Sequence, residues 1–139
     1  MTALAGTLSL VALATGCAHS SFIPSSDLAV AARPKDCHID IVFDGKPTRP
    51  YEVIGRVATD STAPGLFALD ENQDKAFERM REKACEVGGH VLFGIGTGSN
   101  GQWNDDGYSR STQGAAIVAV YVDPSGSVLP APRSGRAPN

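Results

Sequence analysis

From residue 37 onward, apolar and polar positions alternate in patterns that assign elements. Cys37, Ile39, Ile41 and Phe43 alternate with His38, Asp40 and Val42, the period-two pattern of a strand. Asp44-Gly45 predicts a turn, and Pro47 and Pro50 keep the following stretch out of regular pairing. Tyr51, Val53, Gly55 and Val57 form a second alternating set, and a hairpin joining the two strands is the simplest pairing. After a connection containing Pro64-Gly65, the period changes to that of a helix. Phe77, Met80, Ala84 and Val87 make one apolar stripe with Ala76 at its edge, Asp70 is a candidate N-cap, and Gly88-Gly89 supplies the stop. Glu71–Lys75 and Glu78–Arg81 are spaced as ion pairs on the solvated face. His90 to Ile95 is a continuous apolar run, the mark of a strand buried on both faces. Residues 97–114 are polar and rich in Gly, Asn and Ser, which predicts a loop, and Ala115 to Val122 is the final strand. The order predicts an α+β domain, β-β-α-β-β, with one helix packed on a small, largely antiparallel four-stranded sheet. The other sheet face then needs a tail, a partner or polar residues.

The ends of the chain read differently. No charged residue occurs from Met1 to Gly16, and the apolar run has the length of a signal-peptide core, about 13 residues, too short to span a bilayer comfortably. It closes on Leu13-Ala14-Thr15-Gly16-Cys17, which resembles the bacterial lipoprotein signal, the lipobox. The resemblance implies cleavage between Gly16 and Cys17, a diacylglyceryl group on the Cys17 thiol and acylation of its new amino terminus. Each buried methylene contributes about 0.8 kcal/mol, so two or three acyl chains anchor a protein durably. Ala18, not Asp, follows Cys17, which under the sorting rule of enteric bacteria implies the outer membrane. Residues 18–35 are rich in Ser, Pro and Ala and read mostly as a flexible spacer. Within it, Ser25-Ser26-Asp27 is placed to cap a short helical stretch over 28–32. The last residues hold Pro124, Pro130, Pro132 and Pro138 and read as a disordered tail. The expected organisation is a signal at 1–16, a lipidated tether at 17–36, the domain at 37–123 and a Pro/Gly-rich tail at 124–139.

Composition narrows the class of function. The 139 residues carry a formal net charge of −3 with no long block of either sign. That disfavours nucleic acid, which needs a basic stripe, and an electrostatic membrane contact. No Ser/His/Asp arrangement, phosphate loop or metalloprotease motif is present, and Gly94-x-Gly96-x-Gly98 opens a loop where a dinucleotide fingerprint opens a helix. The chain is therefore expected not to be an enzyme and to need no cofactor.

Three constellations remain. Cys37 and Cys85 are the other cysteines of the exported chain, and export implies an oxidising compartment. A helix crossing a sheet can bring them within disulfide range. The bridge would close a loop of about 50 residues and add about 4 kcal/mol. Set against it, Cys85 lies off the helix's apolar stripe, and Cys37-His38 with Cys85-x4-His90 offers a Zn²⁺ set of two thiolates and two imidazoles. The disulfide is the preferred reading, and no metal is expected. In the 97–114 loop, Trp103, Asp105, Asp106 and Tyr108 are candidates for contact with a protein or glycan.

Tyr51-Glu52-Val53-Ile54-Gly55-Arg56-Val57, then Lys83-Ala84-Cys85-Glu86-Val87-Gly88-Gly89-His90-Val91-Leu92, then Gly114-Ala115-Ala116-Ile117-Val118 resembles the YbjQ/RcsF-like superfamily over roughly residues 51 to 122. The resemblance implies a small α+β domain of the bacterial envelope. His90 stands where that pattern usually has Asp. Taken together, the sequence predicts a non-enzymatic outer-membrane lipoprotein, facing the periplasm or the cell surface. Its role would be interaction, assembly or stress sensing with an envelope protein partner, and its partners would include the membrane but no nucleic acid. A metal- or small-ligand-binding envelope protein is the alternative.

Overall fold

In a computed structural model, which describes residues 18–64, 69–105 and 107–133, the chain is an α+β domain with one helix and a mixed sheet. The strands are β1 (Ala18–Pro24), β2 (Asp40–Val42), β3 (Tyr51–Pro64), β4 (Val91–Asn104) and β5 (Gly107–Tyr121), and the helix is α1 (Leu69–Glu86). The sheet has five strands in the order β1-β3-β5-β4-β2, not the four expected. β1–β3, β3–β5 and β5–β4 are antiparallel pairs, and β2 is parallel to β4.

The expected hairpin between the first two predicted strands is absent. β2 is short and lies at the opposite edge, while β3 has β1 on one side and β5 on the other. A period of two fixes which face a side chain occupies and leaves the neighbouring strand unspecified. Pro47 and Pro50, in the connection, remove amide donors that a tight return would use.

The fifth strand comes from the segment read as a spacer. Phe22 turns into the core and crosses β3 at Gly55, where a Cβ would lie 2.4 Å from the Phe22 ring. Glycine at 55 is thus the condition for β1 to dock. The polar His19, Ser20 and Ser21 suit an edge strand, which must not invite further pairing. Beyond β1, residues 25–34 form no regular element where a helical stretch over 28–32 was expected. Leu28 and Val30 alternate inward against the core, and Ser26 Oγ accepts the Leu28 N–H at 3.1 Å.

α1 packs on one face of the sheet through Ala76, Met80 and Ala84, all fully buried, with Phe77 and Val87 at the margin. They meet Ile54, Val57, Leu92, Ala116, Val118 and Val120. The helix ends as its Gly88-Gly89 pair directs. Gly88 (φ +82°) donates to Cys85 O and Gly89 donates to Ala84 O, which satisfies two terminal carbonyls. A second core lies on the other face at the lower end: Val91, Phe93, Ala119 and Tyr121, with Tyr51, Val53 and Leu129 against them. This explains why the β4 sequence starts without alternation.

Leu129 reaches that face because the first part of the expected disordered tail folds back. Asp123 Oδ1 accepts the N–H groups of Ser125 (2.9 Å) and Ser127 (3.0 Å), and Gly126 supplies φ +84°. Val128 then bridges Val122, and the Leu129 N–H donates to Tyr121 O at 2.9 Å. Asp-Pro-Ser-Gly is turn chemistry, and a turn beside a strand end returns the chain along that strand.

Candidate functional site

Cys37 enters just before β2 and Cys85 sits in the last turns of α1. They are joined as a disulfide with Cα atoms 5.9 Å apart. Cys85 lies off the apolar stripe yet is fully buried, because the lead-in to β2 covers that flank of the helix. Arg81 Nη1 donates to Cys37 O at 3.0 Å, while its Nε donates to both Glu78 carboxylate oxygens at 3.0 Å. That charge-assisted bond holds the Glu78 carboxyl below its ordinary range.

Arg33 gathers the neighbouring segments. Its Nη1 donates to Gly89 O (2.7 Å) and its Nη2 to His38 O (2.8 Å) and Pro132 O (3.4 Å), and its own N–H donates to Cys85 O (3.0 Å). One guanidinium thus ties the N-terminal segment to the helix exit, the β2 lead-in and the returning C-terminal segment.

Beside it, Tyr121 OH donates to Asp40 Oδ2 at 2.6 Å, His38 Nε2 lies 3.2 Å from Asp40 Oδ1, and Arg49 stacks 4.0 Å over the Tyr121 ring. His90 is buried, and its Nδ1 accepts the Tyr121 N–H at 3.1 Å. An accepting Nδ1 requires the neutral ring with its proton on Nε2. Burial, with Arg33 and Arg49 nearby, holds the His90 pKa below its ordinary value. Burial and the bond to Asp40 push the Tyr121 phenol up to about 12. The cluster works as a fastening, and sequence reasoning missed it because its members lie far apart in the chain.

The thiolates of the Zn²⁺ set are consumed in the disulfide, and His38 and His90 are engaged separately. Among the described residues no group of three His, Cys, Asp or Glu side chains is placed to hold a metal.

At the opposite end, the expected loop over 97–114 is a hairpin. β4 and β5 pair from Thr97↔Gly114 to Asn104↔Gly107, and β3 continues beside β5 as far as Pro64↔Ser109. Gly, Asn and Ser favour turns only weakly against a full ladder of backbone hydrogen bonds. Trp103 pairs in register with Tyr108 and is 72% exposed, and Asp105 is exposed in the turn. Asp106, Cys17 and Gly16 lie outside the described residues, and of Tyr108 only the backbone is described.

Near the hairpin base, the sheet face away from α1 forms a shallow open groove of about 740 Å³. His19, Arg56, Asp60 and Gln113 surround a floor that includes Gly96 and Gly98. Among the described residues no helix is long and apolar enough to cross a membrane.

No protein-family model matches the chain, and no curated protein matches it. A crystal structure of FvfA, a virulence factor of Francisella, is similar in fold, with a TM-score of 0.52 at 16% sequence identity. The likeness covers 71% of this chain and 96% of that one.

Proposed function

We propose that the chain is a bacterial envelope lipoprotein with a YbjQ/RcsF-like domain, anchored in the outer membrane through acylated Cys17. Its role is interaction, assembly or stress sensing, without catalysis. The observation that carries this reading is Leu13-Ala14-Thr15-Gly16-Cys17 at the end of an uncharged apolar run. The Cys37–Cys85 disulfide supports it, because disulfides persist in oxidising compartments such as the periplasm. Radiolabelled palmitate should enter the wild-type protein and not Cys17→Ser, and the label should fractionate with outer membrane. Label retained by Cys17→Ser would remove the anchor assignment. Cross-linking in intact envelopes, followed by affinity capture, should recover a defined protein partner.

The alternative, a ligand-binding envelope protein, is favoured by the open groove. Its volume is within the range of small-molecule sites, about 300–1,000 Å³, and Arg56, Asp60 and Gln113 offer charge and hydrogen bonds at its rim. A small-molecule thermal-shift screen would support it through a hit lost in Arg56→Ala. Metal analysis of the purified protein tests the metal version.

A further inference from the structure

The end of the sheet from which β1 starts is also the end at which the β4–β5 hairpin projects. β1 is antiparallel to β3, and Ala18 pairs with Ser61. Ser61 pairs with Thr112, and Thr112 with Ser99, so these four residues lie at one level across the sheet. From that level β4 runs on through Trp103, four residues further. At a strand rise of about 3.3 Å per residue this is about 13 Å. β1 runs the other way, so its first residue, Ala18, is its end on the hairpin side.

Cys17 is joined directly to Ala18, and consecutive Cα atoms are about 3.8 Å apart. No spacer therefore separates the modified cysteine from the folded sheet. The headgroup layer on each side of a bilayer is only about 5–7 Å thick. A hairpin that runs about 13 Å past the level of Ala18 along the strand direction is long enough to meet that layer.

We propose, resting on the lipoprotein reading above, that this end of the sheet is a lipid-facing surface. With Cys17 acylated, Trp103 lies in the headgroup region of the same phospholipid bilayer that holds the anchor. The chemistry of the tip suits that occupant. Indole is amphipathic and is enriched at membrane–water interfaces, and Trp103 is among the most exposed large apolar side chains of the described residues. The tip backbone is paired to Asn104↔Gly107, so contact with lipid strips few backbone groups of water. The exposed Asp105 carboxylate favours a zwitterionic surface over an anionic one.

Trp103 is the single tryptophan of the chain, which makes its emission a direct probe. The full lipidated protein is reconstituted in phosphatidylcholine vesicles, with or without bromine on the acyl chains. Trp103 emission should shift to the blue and fall roughly twofold in the brominated vesicles, as for an indole at the interface. Unlipidated Cys17→Ser protein mixed with the same vesicles should show neither change. If acylated protein floats with the vesicles while Trp103 keeps full emission and stays open to aqueous iodide, the surface assignment is overturned and the anchor stands. If the purified full chain carries no acyl group, the anchor reading falls, and the surface assignment falls with it.

Discussion

At the stapled end of the sheet, a disulfide, the Arg33 guanidinium and the Asp40–Tyr121 hydrogen bond fasten segments that are distant in sequence. At the other end, β4 and β5 run on as a hairpin that carries the largely exposed Trp103. The same two strands build both ends. Val91, Leu92, Val118 and Val120 are buried, whereas Gly96, Gly98 and Gln113 are exposed. A strand's role thus changes along its length. Where chain returns over it, each side chain is committed to packing. Where none returns, exposed positions such as Gly96, Gly98 and Gln113 leave the surface open to contact.

If the contrast is right, substitutions at the stapled end cost far more than those at the hairpin. The largest expected effect is from replacing both Cys37 and Cys85 by Ala, a loss of about 2–5 kcal/mol in urea unfolding. A loss no larger than that at the hairpin would mean that the staple does not hold this end of the sheet. Arg33→Met should follow, at about 1.5–3 kcal/mol, since it removes charge-assisted bonds to three carbonyls. Hydrogen exchange should localise that loss to the lead-in to β2 and the residues after Asp123, with the β4–β5 tip unchanged.

His90 makes the stability of the stapled end depend on pH. Its folded pKa lies below the ordinary 6.5, so on acidification the unfolded chain takes up a proton that the folded chain resists. The stability it contributes is present above pH 6.5 and is lost as pH falls through the lower folded pKa. His90→Asn retains a hydrogen-bond acceptor for the Tyr121 N–H and removes the titration. Its denaturant midpoint should fall less steeply with acidification than that of the wild type. An identical slope would mean that other groups dominate. The smallest effect belongs to the hairpin. Gly98→Thr has open space around its new Cβ and should change stability by no more than about 0.5 kcal/mol.

Much of the centre of the fold was legible in the sequence. The 3.6 spacing of Phe77, Met80, Ala84 and Val87 located the helix face, although its buried centre is Ala76, Met80 and Ala84. Gly88-Gly89 ended the helix, and the unbroken apolar run after His90 announced a strand covered on both faces. Of the candidate sites, the cysteine pair was legible because few partners were available to either thiol. The Asp40–Tyr121–His90 cluster was not, because no local pattern links residues 40, 90 and 121. Phe22 looked isolated in a polar run, and its burial depends on Gly55, a residue more than thirty positions away.

Local sequence was enough for the helix and its stop, whereas the alternating set Tyr51, Val53, Gly55 and Val57 is split between the two faces by a bulge between Val53 and Gly55. Tertiary structure decided which strands pair, that residues 18–33 and 124–133 join the domain, and that the 97–114 segment is a ladder. The reason is physical. Periodicity and turn preference are local free energies. Partner choice depends on backbone groups and gaps that distant segments expose to one another, and a polar or proline-rich segment folds once such a gap is offered.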